Sequence, residues 1–429
     1  MPDDAEVIVV GGGPAGATAA FFLARAGCDV LVVDRAFFPR DKPCSEYLSP
    51  QASRLLAEMG ALDEIENGDS ARLTGMRVTA PDGRAFAGSF AAVSGFRPWL
   101  DHGVALRRTR LDALLLSKAT AAGARLTEGL AVRDLEHGAG GRITGVVAHD
   151  GRGPRVLRSR LLIGADGLRS VVARRAGLGA HGRWPRRLAL VTHYRDVRLD
   201  ADVGDMHVLP DGYAGFAPVG AGLTNVALVV PARRSVEFHG NTTGFMAAEL
   251  GRHPRLASRL VHAERVSAVR AVGPFNWRAR QAWRPGLALV GDAADFFDPF
   301  TGEGIYAAMR GAELLCGYAF EAARARSSRS ADIALDAYDR CRRREFTGKW
   351  NVERIIAAAV ASRSVMNLAA RALSARPALA DTLVGVTGDF VPANEVLRMR
   401  YILQLVAAAW TGGAVRQDPP LSPRFQLPD

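Results

Sequence analysis

The sequence predicts an α/β protein with a Rossmann-like domain built on parallel strands, an antiparallel β-sheet domain and a helical carboxyl-terminal region. Three observations support this. A strand, a glycine-rich turn, a helix and a second strand open the chain, residues 187–230 are rich in strands and turns, and the sequence beyond Thr301 is almost wholly helical. At 429 residues the chain is long enough for several domains, since one domain usually takes ~100–200 residues.

The opening elements are predicted from two short apolar runs. Residues 6–10 read EVIVV, a β-branched run typical of a buried parallel strand. Three glycines end this strand, and residues 15–26 then have the pattern of a helix closed by Gly27. Residues 29–33 read DVLVV, a second buried strand. Strand, helix and strand in this order form a βαβ unit.

The turn between the first strand and the helix carries a nucleotide-binding pattern. Residues 11–16 read GGGPAG, which fits G-x-G-x-x-G in the strand–helix context that makes this pattern informative. Gly11 permits the tight turn, Gly13 lets a pyrophosphate approach the backbone, and Gly16 lets helix and strand pack closely. Asp34, 18 residues after Gly16, can accept hydrogen bonds from ribose hydroxyls. These residues predict a site for an ADP moiety and leave open whether NAD or FAD carries it.

The remaining elements are predicted in order from local patterns. They are a hairpin in 76–91, an amphipathic helix in 111–123, two strands in 129–148, strands at 160–163 and 287–290, and helices beyond 301. The last stretch, 418–429, contains four prolines and is predicted to be an extended tail.

Two later segments each place an aspartate beside a glycine at the end of a strand. Residues 160–173 read RLLIGADGLRSVVA, and residues 287–309 read LALVGDAADFFDPFTGEGIYAAM. Together with the G-x-G-x-x-G turn, these D-G and G-D motifs resemble the three fingerprints of the flavoprotein monooxygenase superfamily with the p-hydroxybenzoate hydroxylase type of FAD fold. The resemblance spans roughly residues 6–315 and implies that FAD is the cofactor.

The resemblance also implies a domain organisation. A discontinuous FAD-binding domain would comprise residues 1–72, 105–180 and 273–325. Residues 73–104 and 181–272 would form the antiparallel substrate sheet, and residues 326–429 the helical carboxyl-terminal region.

Cofactor-binding roles follow from the same resemblance. Asp292 would accept a hydrogen bond from the ribityl chain, and Asp166 with Gly167 would lie near the pyrophosphate and the NAD(P)H path. Arg108 opens an R-x-x-L-D pattern and would border the flavin chain, although its neighbour Arg107 remains an alternative. The full predicted set is Gly11, Gly13, Pro14, Ala15, Gly16, Asp34, Arg35, Lys42, Cys44, Ser45, Arg108, Val132, Asp166, Gly167, Gly291, Asp292, Pro299, Gly302, Gly304 and Ile305.

Residues 299–305, PFTGEGI, are predicted to begin a helix beside the flavin. The amino terminus of a helix stabilises negative charge, here that of the reduced flavin. Catalytic roles are therefore predicted for Gly302, Glu303 and Gly304. Glu303 has a structural alternative, since a glutamate at a helix start can cap the first turn.

Residues 38–50 read FPRDKPCSEYLSP and resemble the P-R-x-K-x-C-G-E stretch of the geranylgeranyl reductase branch, which flavin-dependent halogenases partly share. The matching residues are Pro39, Arg40, Lys42, Cys44 and Glu46. Ser45 departs from the family's usual glycine, and Asp295 departs from the glycine of its G-D-A-A-G pattern; both positions are expected near the flavin ring. Cys44 is predicted to have a catalytic role at the flavin, with simple packing as an equal alternative.

A predicted substrate site follows from residues 212–230, GYAGFAPVGAGLTNVALVV, which resemble a strand pair of the substrate sheet in the same branch. Tyr213, Phe216 and Pro218 would then face the ligand cavity. The alternative is that these side chains belong to the core of the sheet.

The predicted reaction is NAD(P)H-driven reduction of the flavin, followed by activation of O₂ and hydroxylation of a hydrophobic aromatic or polyketide-like molecule. The flavin carries this chemistry, so no catalytic base is required. Reduction of prenyl double bonds and a flavin-binding protein without turnover are the two alternatives. Halogenation is disfavoured because the pattern W-x-W-x-I-P of halogenases is absent.

Composition limits the partners. The net charge is +11, yet the basic residues are scattered, so no nucleic-acid site is predicted. The four cysteines form no C-x-x-C, which predicts neither a metal site nor disulfides. The amino terminus does not read as a signal peptide and no apolar run approaches a membrane span, so a cytoplasmic protein is expected. Membrane contact through the apolar stretches 352–368 and 396–410 is a less favoured possibility, and the oligomeric state is left open.

Overall fold

Two eight-stranded sheets organise the computed structural model, which describes residues 4–151, 153–182, 184–199 and 202–411. The strands are β1 (Ala5–Val10), β2 (Val30–Val33), β3 (Tyr47–Leu48), β4 (Ala71–Leu73), β5 (Gly75–Thr79), β6 (Ala85–Ser89), β7 (Gly103–Ala105), β8 (Arg125–Thr127), β9 (Ala131–His137), β10 (Ile143–His149), β11 (Pro154–Gly164), β12 (Gly179–His181), β13 (Arg187–Arg195), β14 (Val203–Leu209), β15 (Gly212–Pro218), β16 (Leu223–Pro231), β17 (Glu264–Arg265), β18 (Arg270–Val272), β19 (Trp277–Ala279), β20 (Trp283–Arg284), β21 (Leu287–Leu289) and β22 (Asp295–Phe296).

Helices cover both sheets and make up most of the described chain beyond β22. The α-helices are α1 (Pro14–Arg25), α2 (Ala52–Glu58), α3 (Leu62–Glu66), α4 (Arg108–Ala121), α5 (Val171–Arg175), α6 (Thr242–Gly251), α7 (Pro254–Leu260), α8 (Gly304–Ala323), α9 (Ser328–Val360), α10 (Arg363–Ala375), α11 (Pro377–Thr387), α12 (Asn394–Leu397) and α13 (Met399–Thr411).

The first sheet has the order β20-β21-β11-β1-β2-β8, with β9 and β10 joined to β11. Its central pairs are parallel: Val9 of β1 lies opposite Val32 of β2 and Ile163 of β11. Parallel strands are covered by helices on both faces, so they are apolar throughout. The apolar side chains of the predicted EVIVV and DVLVV runs are accordingly buried, while Glu6 is half-buried and Asp29 is exposed. The predicted βαβ unit is confirmed.

The second sheet has the order β17-β13-β16-β15-β14-β5-β6, with β18 also paired to β13. Most of its pairs are antiparallel, as predicted, and the predicted hairpin of residues 76–91 is the β5–β6 pair. The β14–β5 pair is parallel instead. The reason is topological: β5 and β6 precede the rest of this sheet by about a hundred residues, so no tight turn joins β5 to β14.

The carboxyl-terminal helices complete both cores. Tyr338 of α9 donates a buried hydrogen bond to the carbonyl oxygen of Leu289 in β21, at 2.9 Å. Helices α10 and α11 pack on β6 with the end of α9, burying apolar side chains such as Leu373 and Val384 against the second sheet. The helical character predicted beyond Thr301 is confirmed for the described residues, and the predicted tail of residues 418–429 lies outside them.

Within the described residues, no single helix is long and apolar enough to cross a membrane. Helices α9 and α10 meet the length and composition criteria only as a pair, and the chain bends by 112° between them.

Candidate active site

A cleft opens at the carboxyl ends of β1 and β11, where helices α1 and α8 begin. Open α/β sheets bind their ligands at this edge, outside the carboxyl ends of the strands. The residues around the cleft are Gly13, Pro14, Ala15, Lys42, Cys44, Ser45, Arg108, Ala165, Gly167, Asp292, Phe296, Pro299, Gly302, Gly304, Ile305 and Ala308. The structure therefore brings together most of the residues predicted to bind the cofactor, and adds Ala165, Phe296 and Ala308.

The glycine-rich turn leaves room for a phosphate at one position only. A Cβ on Gly16 would lie 1.8 Å from the carbonyl oxygen of Gly11, and one on Gly11 would lie 2.5 Å from that of Ala165. At Gly13 the nearest atoms to an added Cβ are the guanidinium nitrogens of Arg40 and Arg108, at 3.5 and 3.8 Å. Gly11 and Gly16 thus serve close packing, while Gly13 exposes backbone to the cleft.

The charges beside Gly13 fit a pyrophosphate. Arg108 forms two hydrogen bonds of 2.8 Å with Asp112, and Arg40 lies 3.0 Å from the same carboxylate. Burial lowers the pKa of Arg40, a cost that an anion in the cleft would relieve. Two guanidinium groups share one carboxylate, so the side of the cleft beside Gly13 has a net positive charge. Arg40 was recognised in the sequence only as a pattern match, without a cofactor role.

At the adenosine end, Asp34 is already oriented by the backbone. Its carboxylate accepts hydrogen bonds from the N–H groups of Gly12 (2.7 Å) and Ala36 (2.8 Å). Arg35, by contrast, is exposed, and Val132 is a core residue of β9; neither lines the cleft.

Asp292 and Lys42 face each other across the cleft, with 3.9 Å between the carboxylate and the ammonium. Burial, with the nearby Arg108 charge, lowers the pKa of Lys42. The neighbouring Gly291 lies behind this position and lines a rear cavity between the 291–304 loop and α9. This rear cavity adjoins the cleft, with which it shares Asp292, Phe296, Gly304 and Ala308.

The two residues of the predicted D-G pair, Asp166 and Gly167, have different roles. Gly167 lines the cleft, but the Asp166 carboxylate turns to the start of α5, where it accepts hydrogen bonds from the N–H groups of Val171 (2.6 Å) and Val172 (3.2 Å). Burial raises the pKa of Asp166. The structure therefore assigns Asp166 to holding the turn rather than to lining the cleft.

The segment from Cys44 to Glu46 forms a wall of the cleft and is locked by a buried network. Glu46, at positive φ, accepts hydrogen bonds from the Arg108 N–H (2.8 Å) and from Asn225 (3.1 Å). Its carboxylate also lies 2.6 Å from Nε2 of His193, and Asn225 donates to the Cys44 carbonyl at 2.8 Å. Since His193 and Asn225 come from the second sheet, no local sequence signal indicated this network.

The loop before α8 differs from prediction in one side chain. Gly302, in the left-handed region, and Gly304 line the cleft as expected. Glu303 points the other way: it lines the rear cavity, lies 3.2 Å from the Lys349 ammonium, and makes no capping hydrogen bond. Burial raises the pKa of Glu303. Lys349 on α9 draws this side chain away, so the prediction that Glu303 acts at the flavin is corrected.

Asp295, the departure from the reductase pattern, also lies on the rear side. Its carboxylate pairs with Arg342 of α9 in the rear cavity. The expectation that Asp295 lies near the flavin ring is therefore corrected, whereas Ser45, the other departure, lines the cleft.

A further cavity, here called the apolar cavity, lies between the cleft and the second sheet. Its lining comprises Ser45, Tyr47, Leu73, Met76, Ala189, Gly204, Asp205, Met206, Tyr213, Gly215, Phe216, Ala217, Asn225, Ala227, Val229, Pro299, Phe300 and Gly302. Tyr213 and Phe216 line it as predicted, but Pro218 does not. Tyr213 donates its hydroxyl hydrogen to Asp298 at 2.6 Å.

The cleft and the apolar cavity share Ser45, Pro299 and Gly302. A flat ring bound at this end of the cleft would therefore contact a molecule in the apolar cavity. The described residues contain no group of three or more side chains able to hold a metal ion.

Comparison with known proteins identifies the ligand that the cleft binds. A family model described as an FAD binding domain matches residues 4–349. Menaquinone reductase of Mycobacterium tuberculosis (strain ATCC 25618 / H37Rv) is 32% identical over 327 residues, covering 71% of this chain and 74% of that protein. Digeranylgeranylglycerophospholipid reductase 2 of Methanopyrus kandleri is 30% identical over 319 residues, covering 73% and 74%.

A solved structure extends the likeness of fold to nearly the whole chain. The myxobacterial chondrochloren halogenase CndH matches with a TM-score of 0.77 and 23% identity, over 96% of this chain and 98% of that one. At this identity the match concerns the fold alone. The open backbone at Gly13, the guanidinium groups beside it and the Asp34 carboxylate all fit FAD. The chain belongs to the FAD binding domain family and is an FAD-dependent oxidoreductase.

Proposed function

We propose that the protein reduces a carbon–carbon double bond in a hydrophobic, isoprenoid-like molecule with electrons from NAD(P)H. The observation that carries this proposal is the junction at Ser45, Pro299 and Gly302, where an apolar cavity opens onto the flavin end of the cleft. The two relatives at 30% and 32% identity are both named as reductases, which supports reduction over hydroxylation.

FAD, when bound, supplies the hydride that such a reduction needs. The chain's own residues must then exclude water, hold the substrate and deliver one proton to the second carbon. The apolar lining of Met76, Met206 and Phe300 serves the first two tasks. Tyr213 is a poor proton donor because its hydroxyl hydrogen is already committed to the Asp298 carboxylate, at 2.6 Å.

Tyr47 is the better candidate for the proton. It lines the apolar cavity, is 4% exposed, and its hydroxyl has no hydrogen-bond partner among the described residues. Burial, with the Glu303 charge, raises its pKa well above the usual value, so the phenol stays protonated and able to donate. Sequence reasoning missed Tyr47 because only its packing beside Gly302 brings it to the junction.

A basic pocket supports NAD(P)H as the proposed electron donor. Part of its lining is the segment that directly follows Gly167. Three arginines, Arg169, Arg174 and Arg186, line it with Leu168 and Trp277, and no ion pair is described for any of the three in the part of the chain that the structure covers. Phosphate-bearing ligands favour such unneutralised guanidinium groups.

Arg186→Ala should raise the KM for NAD(P)H several-fold, while Arg175→Ala, on α5 but outside the pocket, should leave it unchanged.

The reaction is tested with flavin-loaded protein and a panel of polyprenyl quinones and prenyl alcohols. Without oxygen, chemically reduced protein should reoxidise on substrate addition, and the product should gain two hydrogen atoms by mass spectrometry. Tyr47→Phe should slow this step at least ~10-fold with unchanged flavin content; Phe90→Leu, beside the Tyr47 ring, is the packing control. A product that gains one oxygen atom, in air only, would overturn the proposal.

Hydroxylation with O₂ is the second candidate, and Ser45 favours it. This residue replaces the glycine of the reductase pattern at the point shared by the cleft and the apolar cavity. Its hydroxyl can bind a polar substrate group that a glycine could not. Substrate-dependent O₂ uptake with NAD(P)H that Ser45→Gly abolishes would support this candidate. Flavin that no donor and substrate ever turn over would instead indicate a binding protein.

A further inference from the structure

An apolar patch lies exposed on α10 and α13. It consists of seven large side chains, each between 39% and 86% exposed: Val365, Leu368, Met399, Ile402, Leu403, Val406 and Trp410. Single exposed apolar residues are ordinary on protein surfaces, but contiguous ones mark interaction sites.

On α13 the exposed residues form one stripe. Met399, Leu403, Val406 and Trp410 follow one another at intervals of four, three and four residues, the spacing of a single helix face. The opposite face of this helix is buried in the protein through Tyr401, Ala408 and Ala409. Helix α13 is thus apolar on both sides, and one side has no partner within the described residues.

The exposed residues of α10 adjoin that stripe. Ala372 of α10 packs with Ala408 and Ala409 of α13 in a buried seam of small side chains. Leu368 lies one turn before Ala372, and Ile402 lies two turns before Ala409, so both sit beside the seam. Val365 lies one further turn before Leu368. The patch is therefore continuous from one helix to the other.

The charged side chains of the two helices that form the patch have a single sign. Helices α10 and α13 contain three arginines, Arg363, Arg371 and Arg400, and no aspartate or glutamate. Across the described residues, no ion pair is recorded for these three guanidinium groups. A second copy of the chain in a symmetric contact would bring equal charges together, whereas anionic lipid headgroups would neutralise them.

We propose that the apolar patch rests on the surface of an anionic lipid bilayer. The stripe of α13 would enter the boundary between headgroups and acyl chains, and the arginines would lie among the phosphates. Trp410, the most exposed member at 86%, is the residue type that favours this interface. The contact does not span the bilayer; it would hold the protein where hydrophobic molecules are dissolved.

Vesicle sedimentation with the full-length, flavin-loaded protein tests this. Vesicles of phosphatidylcholine with phosphatidylglycerol should bind the protein, and vesicles of phosphatidylcholine alone should bind it more weakly. Leu403→Ser combined with Val406→Ser should lower partitioning at least ~10-fold. Arg363→Gln with Arg371→Gln should remove mainly the gain from phosphatidylglycerol. Val236→Ser with Val261→Ser, exposed valines outside the patch, should leave binding unchanged.

Flavin content and the thermal midpoint show whether each variant is folded. Equal sedimentation of the wild-type and Leu403→Ser/Val406→Ser proteins would overturn the proposal. A lipid-independent dimer in analytical ultracentrifugation that the same variant dissociates would assign the patch to a second copy instead. Neither outcome bears on the reaction at the cleft, since the patch and the cleft share no residue.

Discussion

At the scale of single residues, the cofactor site depends on which atoms face the cleft. Gly13 is the clearest case, because a Cβ there would touch only the ends of two flexible arginine side chains at ordinary distances. The protein itself does not need a glycine at this position, but a bound pyrophosphate does. Gly16 and Gly11 differ, since added atoms there would strike backbone.

Gly13→Ala is therefore expected to fold normally and to lose FAD. The added methyl group occupies the space that the pyrophosphate needs, so flavin affinity should fall at least ~100-fold while the thermal midpoint of the cofactor-free protein stays unchanged. Flavin absorbance per polypeptide and calorimetry measure the two quantities. Gly251→Ala, where an added Cβ meets nothing within 4 Å, is the control. Full flavin content in Gly13→Ala would contradict the placement of the pyrophosphate.

A second residue-scale prediction concerns Glu353 in the rear cavity. Burial, with the negative charge of Glu303, raises the pKa of Glu353 to about 8, and Lys349 only partly opposes this. A carboxyl whose pKa is raised on folding stabilises the fold fully below its unfolded value, 4.5. This stabilisation is lost as pH rises through about 8.

Glu353→Gln should therefore remove a pH dependence. Relative to wild type, its free energy of unfolding should improve steadily between pH 5 and pH 9 by more than ~1 kcal/mol, since each pKa unit corresponds to ~1.4 kcal/mol. Urea titrations at several pH values measure this. Glu321→Gln is a control at an exposed site on α8. Parallel pH profiles for wild type and Glu353→Gln would show that Glu353 is not buried in this way.

At the scale of elements, helix α11 and strand β6 approach each other so closely that only glycine fits. A Cβ on Gly88 would lie 2.6 Å from a methyl carbon of Val384 and 2.7 Å from the Ala380 carbonyl oxygen. Gly88→Ala should cost about 1–3 kcal/mol of stability through overpacking, measured by urea unfolding. Adding Val384→Ala should restore part of the loss; no recovery would argue against this contact.

At the scale of the whole molecule, Asp298 ties the second sheet to the flavin cleft. Its carboxylate binds Arg187 of β13 at 3.0 Å and Tyr213 of β15 at 2.6 Å, and it precedes the Pro299–Thr301 turn that both cavities share. The loop before α8 is thus fixed to the second sheet by one buried acid, so the apolar cavity and the cleft keep a common geometry.

Asp298→Ala leaves the Arg187 guanidinium buried without this partner. Removing one member of a buried ion pair costs about 3–5 kcal/mol, so a lower thermal midpoint and weaker binding of hydrophobic ligands are expected. Asp298→Asn keeps hydrogen-bond acceptance from Phe300 N–H and Tyr213, and should lose less. Calorimetry and ligand titration measure both effects. Wild-type stability in Asp298→Ala would show that other contacts hold this loop to the second sheet.

The sequence by itself determined the parallel sheet, the glycine-rich turn and a site for an ADP moiety, because these depend on local patterns: buried β-branched runs and the spacing of glycines along a few residues. That FAD carries this moiety was implied by the family resemblance of three separated motifs, not by the local pattern. The position of Gly13 at the cleft followed from the strand–turn–helix motif, whereas Lys42, Ser45 and Gly302 were placed there by the family resemblance of residues 38–50 and 287–309. Only the tertiary structure decided where loop side chains point. Glu303 turns to Lys349, and Glu46 binds His193 across 147 residues, since long-range packing, not chain spacing, selects the partner of a buried charge.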